Sequence, residues 1–135
     1  MASRSKILVV DDYPDTLDVW TVALRTAGYD VVGAADGIAA LQMAESLLPD
    51  LVVLDLELPG RSGYEVASLL RRNPETRRIP LIAATGFSHE AQLARARGAG
   101  FDVIVIKPCD PAELIAHIAR LIASAPSEHT ATEGR

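Results

Sequence analysis

The chain has 135 residues, a net charge of −5 and 49% hydrophobic residues. These values fit one globular domain that buries roughly two-thirds of its extended surface, and they argue against disorder and against general binding to nucleic acid or an anionic membrane. The single cysteine, Cys109, allows no intrachain disulfide, no apolar run nears the ~20 residues of a membrane span, and the run after Lys6 is too short for a signal-peptide core, so a soluble protein of the reducing cytoplasm is expected.

The first apolar run, Ile7-Leu8-Val9-Val10, ends in Asp11-Asp12. Runs that are continuous rather than alternating mark strands buried on both faces, as in parallel sheets flanked by helices. Leu17, Trp20, Leu24 and Ala27 follow 3-and-4 spacing, which predicts a helix from about Pro14 to Ala27, with Trp20 in its core stripe and Gly28 as its stop. Asp30 to Ala34 is a weaker second strand. Asp36-Gly37 opens a second helix with Ile38, Leu41, Ala44, Leu47 and Leu48 in phase, ended by Pro49. Leu51 to Leu54 is the third strand and runs into Asp55. Tyr64 to Arg72 reads as the third helix, and Leu81 to Ala84 as the fourth strand, running into Thr85. Ser88 is the expected N-cap of a fourth helix that stops at Arg97, before Gly98. Val103 to Ile106 is the fifth strand and leads to Lys107-Pro108. Asp110 then caps a fifth helix with Pro111 at its first position and Leu114, Ile115, Ile118, Leu121 and Ile122 as its stripe.

This β-α alternation implies an α/β fold, a parallel sheet with right-handed crossovers. Residues 6–123 form the expected domain, residues 1–5 an N-terminal extension, and residues 124–135, which are small and polar, a tail expected to be disordered.

Asp11, Asp12, Asp55, Thr85 and Lys107 all fall at the carboxyl ends of strands, the edge at which open α/β sheets bind ligands. Two carboxylates ~4 Å apart repel by about 4 kcal/mol at a typical effective dielectric, so three of them call for a cation. An oxygen-rich site suits Mg²⁺. The turn formers Pro59, Gly60 and Gly63 let the loop after Asp55 bend a carbonyl towards a metal. A carboxylate beside Mg²⁺ can attack phosphorus, with Thr85 and Lys107 serving the phosphoryl oxygens. No Walker-type loop is present to support nucleotide binding.

These residues carry a resemblance. The acidic pair Asp11-Asp12, the Asp55…Pro59-Gly60…Gly63 loop, Thr85-Gly86 and Lys107-Pro108, in this order and spacing, make residues 5–123 resemble the receiver domain of bacterial two-component response regulators, of the stand-alone chemotaxis type. The resemblance implies a flavodoxin-like doubly wound five-stranded parallel sheet of order 2-1-3-4-5 with five helices. It implies Asp55 as phosphoacceptor, served by a histidine kinase or histidine phosphotransfer protein. It further implies Mg²⁺ held directly by Asp12, Asp55 and the Glu57 carbonyl and more weakly by Asp11. Lys107 would pair with the phosphoryl group, Thr85 would move to hydrogen-bond it, and the peptide bond to Pro108 would be cis. Output would pass to a downstream protein partner, with no direct contact to nucleic acid or membrane. Slow Mg²⁺-dependent self-phosphorylation and self-dephosphorylation would make it a switch rather than an enzyme.

Ile104 departs from that pattern. Receivers often carry Tyr or Phe three residues before the lysine, a side chain that swings inward on phosphorylation, although receivers of hybrid histidine kinases with a stretch like Gly100-Phe101-Asp102 share the departure. The expected switch is therefore a Thr85-linked shift of the loop after the fourth strand, without an aromatic flip. The alternative is a receiver-fold scaffold whose partner binding ignores phosphorylation. A hydrolase of Asp-x-Asp type is disfavoured, because Asp55-Leu56-Glu57 lacks the second Asp. The Glu57 side chain is expected to tune dephosphorylation. His89, His117 and His129 lack metal-ligand spacing, Cys109 reads as a buried or capping residue, and Arg71, Arg72, Arg77 and Arg78 read as a solvated basic edge, with a docking surface for an acidic partner as the alternative.

Overall fold

The computed structural model describes residues 4–86 and 89–124. The strands are β1 (Lys6–Val10), β2 (Asp30–Ala34), β3 (Leu51–Asp55), β4 (Leu81–Thr85) and β5 (Val103–Ile106). Between and after them lie α1 (Pro14–Thr26), α2 (Gly37–Leu47), α3 (Gly63–Arg72), α4 (Glu90–Ala99) and α5 (Pro111–Ser124). All strand pairs are parallel, and the order is β2-β1-β3-β4-β5, the expected doubly wound arrangement.

Alternate residues of each strand face opposite sides of the sheet, and both sides are covered. Leu8, Val10, Val52, Leu54, Leu81 and Ala83 pack with Ala40, Ala44, Val66, Leu70 and Ala96, from α2, α3 and α4. Ile7, Val9, Leu51, Val53, Ile82 and Ala84 pack with Trp20, Leu24, Leu114 and Ile118, from α1 and α5. Every residue of β3 and β4 is buried, which is why these runs show no polar alternation.

Helix ends show where local signals mislead. α3 begins at Gly63 because Ser62 caps it: the Ser62 hydroxyl accepts from the Glu65 N–H, and the Glu65 carboxylate accepts from the Ser62 N–H. α4 passes through Gly98 and ends at Gly100, whose φ of +109° is the left-handed conformation that closes a helix. Its N-cap position is His89, and Ser88, the expected cap, lies outside the described residues. α5 runs through Ser124, and the expected tail beyond it, with His129, also lies outside them. In α2 the buried positions are Gly37, Ala40 and Ala44, while Ile38 and Leu47 of the expected stripe, and Leu48 just after the helix, are exposed.

Arg71 corrects the reading of a solvated basic edge. Its guanidinium donates to the carbonyls of Gly100 (3.0 and 2.7 Å), Arg77 (2.7 Å) and Ile79 (2.7 Å) and to Asp102 Oδ2 (2.9 Å). The same Asp102 oxygen accepts from the Leu81 N–H at 2.8 Å. One side chain thus fastens the start of β4 to the start of β5. Arg72, Arg77 and Arg78 are exposed, as expected.

Candidate functional site: an acidic cluster at the carboxyl edge of the sheet

Strand register decides which residues meet. Val10 of β1 pairs with Leu54 of β3, so Asp11 follows β1 beside Asp55, the last residue of β3. Asp55 pairs with Ala84, and Thr85 pairs with Ile106, which brings Thr85 and Lys107 to the same edge. The Lys107 N–H donates to the Thr85 carbonyl at 2.7 Å.

One carboxylate oxygen each from Asp11, Asp12 and Asp55 lies within 4.8 Å of the others. Asp11 and Asp55 are buried and Asp12 is exposed. Two backbone amides orient the buried pair: the Tyr13 N–H donates to Asp11 Oδ1 at 2.9 Å and the Glu57 N–H to Asp55 Oδ1 at 3.1 Å. Lys107 Nζ donates to Asp11 Oδ2 at 2.7 Å and to Asp55 Oδ2 at 3.2 Å. It also lies 5.9 Å from the centre of the Trp20 ring, so Trp20 forms part of this wall as well as part of the core.

Burial pushes the Asp55 carboxyl above the ordinary aspartate range; the Glu57 N–H and the Lys107 charge oppose that rise, and Asp11 adds to it. Burial alone would lower Lys107, but the Asp11 and Asp55 carboxylates outweigh it and hold the ammonium above its usual value. The edge therefore combines a desolvated carboxylate, two further carboxylates and a firmly protonated amine. Such oxygen donors fit a hard divalent cation, and Asp12 is the member of the set exposed to solvent.

The peptide bond between Lys107 and Pro108 is cis, as expected. Ile104 pairs with Ala83 and lies half-buried against the α2–α3–α4 core. The Glu57 side chain is exposed. Cys109 is half-buried rather than fully buried: its thiol donates to the Asp110 carbonyl at 3.5 Å, and burial pushes its pKa up while a hydrogen bond from the Leu114 backbone, in the first turn of α5, opposes the rise. His117 pairs locally with Glu113 and Arg120 on α5, away from the cluster.

The tight approach behind Asp55 was not legible in the sequence. Gly63 donates its N–H to the Leu56 carbonyl at 3.0 Å, and a Cβ there would lie 2.3 Å from the Asp55 carbonyl oxygen. The sequence marks Gly63 as a turn former and as part of the receiver-like motif, and neither reading reveals this backbone contact.

Residues 7–119 match the model of the response regulator receiver domain. The chain is 39% identical over 115 residues to the DNA-binding response regulator MtrA of Mycolicibacterium smegmatis and 37% identical over 117 residues to the transcriptional regulator RpaA of Synechocystis. These alignments cover 85% and 87% of the chain, which spans about half the length of those relatives (49% and 48%). A putative response regulator from Chloroflexus aurantiacus superposes with a TM-score of 0.86 at 31% identity, covering 90% of this chain and 99% of that one. The receiver domain of the sensor histidine kinase PA1611 from Pseudomonas aeruginosa, which has a magnesium ion in its active-site cleft, superposes with a TM-score of 0.85 at 34% identity, covering 90% and 100%. Family match, strand order and acidic edge agree, and the chain belongs to the response regulator receiver domain family of two-component signalling.

Proposed function

We propose that the chain is a Mg²⁺-dependent phosphoacceptor in which Asp55 receives a phosphoryl group from a phosphohistidine on a histidine kinase or histidine phosphotransfer protein. A carboxylate oxygen of Asp55 attacks phosphorus, the donor's P–N bond breaks, and the imidazole leaves and takes up a proton. The observation that carries this reading is the gathering of Asp11, Asp12 and Asp55 within 4.8 Å beside Lys107. Asp12, Asp55 and the Glu57 carbonyl are assigned to hold Mg²⁺, with Asp11 contributing more weakly. Bound there, the ion supplies charge that offsets the phosphoryl oxygens.

The chain's own residues do the rest. The Glu57 N–H fixes one Asp55 oxygen, leaving the other facing Lys107. Lys107 is placed to transfer its hydrogen bond from Asp55 to an incoming phosphoryl oxygen while keeping its bond to Asp11. Thr85 shifts towards the phosphoryl group and carries the loop after β4 with it. Ile104 has no polar tip, so output to the downstream partner proceeds without an aromatic flip. The exposed Glu57 side chain tunes loss of the phosphoryl group, and Glu57→Ala is expected to change that rate. A groove of about 400 Å³ lined by Val19, Trp20 and Pro108 adjoins Lys107 and offers a phosphodonor protein a surface near Asp55.

Incubation with acetyl phosphate, with and without Mg²⁺, followed by intact mass measurement tests the reading. A Mg²⁺-dependent gain of one phosphoryl group, absent in Asp55→Asn, is expected. Absence of any gain with acetyl phosphate and with phosphorylated donor proteins would overturn it. In that case the partner would bind Asp55→Asn as well as wild type, the behaviour of a scaffold.

A further inference from the structure

A second concave feature lies at the opposite edge of the sheet. The α3–β4 turn, the start of β5 and the end of α5 enclose a cleft of about 460 Å³, with Arg77, Arg78, Pro80 and Leu121 among its lining. The turn is pinned throughout. The Asn73 carbonyl accepts from the N–H groups of Thr76 (3.0 Å) and Arg77 (2.9 Å), and the Ile79 N–H donates to Thr76 (3.0 Å). The buried Thr76 hydroxyl donates to the Leu70 carbonyl at 2.7 Å. Arg71 clamps the carbonyls of Arg77 and Ile79, on either side of Arg78.

Arg71 has spent its own charge on Asp102 and these carbonyls. Among the described residues, the guanidiniums of Arg77 and Arg78 have no hydrogen-bond or ion-pair partner. Two unpaired cations thus stand on a rigid turn, in a chain whose net charge is −5. Half-buried Pro80 and Leu121 add apolar wall. A bare inorganic anion would leave that wall unused, and a long polyanion would meet the chain's negative charge elsewhere. A short carboxylate-bearing peptide uses both features.

We infer that this cleft docks a short acidic segment of a partner protein, with its carboxylates on Arg77 and Arg78 and its aliphatic stems against Pro80 and Leu121. The cleft lies at the start of β4 and the acidic cluster at its end, so a partner held here leaves Asp55 open.

The test is fluorescence anisotropy of a fluorescein-labelled hexaglutamate peptide titrated with the full chain at low ionic strength. Arg77→Gln/Arg78→Gln is expected to weaken binding about tenfold, from two exposed ion pairs of ordinary strength. Arg77→Lys/Arg78→Lys retains most of the binding. Added salt weakens wild type far more than the glutamine variant. Both side chains are exposed, so circular dichroism and urea unfolding of the variants match wild type. Equal binding by wild type and the glutamine variant, no saturable wild-type binding, or tighter arginine-dependent binding of a single-stranded oligonucleotide would each overturn the inference.

Discussion

Lys107 sits closer to Asp11 than to Asp55: its ammonium donates at 2.7 Å to the first and at 3.2 Å to the second. These residues follow or end β5, β1 and β3, so one cation ties together three strand ends. Asp11, with its side chain fully buried, anchors the lysine and leaves its contact with Asp55 the easier one to exchange.

Replacing Lys107 with Ala removes the only basic group paired with these carboxylates among the described residues. In EDTA, unfolding free energy is expected to fall by about 1–2 kcal/mol, the scale of hydrogen bonds to charged groups. Mg²⁺ is expected to restore more stability to the variant than it adds to wild type. Urea unfolding in EDTA and in excess Mg²⁺ measures both, and an identical Mg²⁺ effect in the two proteins would count against a shared site.

Asp55→Asn is expected to stabilise the metal-free protein by on the order of 1 kcal/mol at neutral pH, as relieving a strained functional site commonly does. The sign follows from the raised Asp55 pKa. The native state holds this proton more tightly than the unfolded chain, so the group favours folding below its unfolded pKa, and that contribution is lost as pH rises through the higher folded value. The variant's advantage is therefore complete above the folded value and fades as pH falls towards 3.8, the unperturbed value. Paired urea titrations across that window check it.

Gly63→Ala would place a methyl group 2.3 Å from the Asp55 carbonyl oxygen and 2.7 Å from the Leu56 Cα. Both obstacles are backbone, so the loop must move. A loss of about 1–3 kcal/mol is expected, the range for overpacking, together with slower phosphoryl uptake. Chemical unfolding and the acetyl phosphate mass assay report the two effects separately.

Arg71→Lys keeps the charge but loses the fork that reaches three carbonyls and Asp102 at once. A destabilisation of about 2 kcal/mol is expected from acceptors left unsatisfied. Hydrogen exchange should localise the loosening to the starts of β4 and β5. A fully stable variant would mean that solvent replaces the clamp.

Part of this molecule could be read residue by residue. The apolar runs from Ile7, Leu51 and Leu81 revealed their strands because burial on both faces leaves no polar alternation, and the run from Val103 was as apolar although it forms the edge strand, where Ile106 is exposed. The polar residues closing those runs were legible for the same reason, since a charged group directly after a buried strand stands out. Helix ends were less legible. Gly98 resembled a stop but lies within α4, because the left-handed conformation that ends the helix falls at Gly100. Arg71 looked like its neighbours in the sequence and differs from them only because the start of β5 comes to lie beside it.

By itself, the sequence determined the strand periodicity, the order of elements and the chemical identity of the edge residues, all of which depend on neighbours along the chain. Tertiary structure alone decided that Lys107 is shared unequally between Asp11 and Asp55, that Gly63 has no room for a side chain, and that Arg77 and Arg78 stand unpaired in one cleft. Those outcomes depend on distances between atoms that are not neighbours along the chain, and strand register, close packing and burial set such distances only once the sheet has formed.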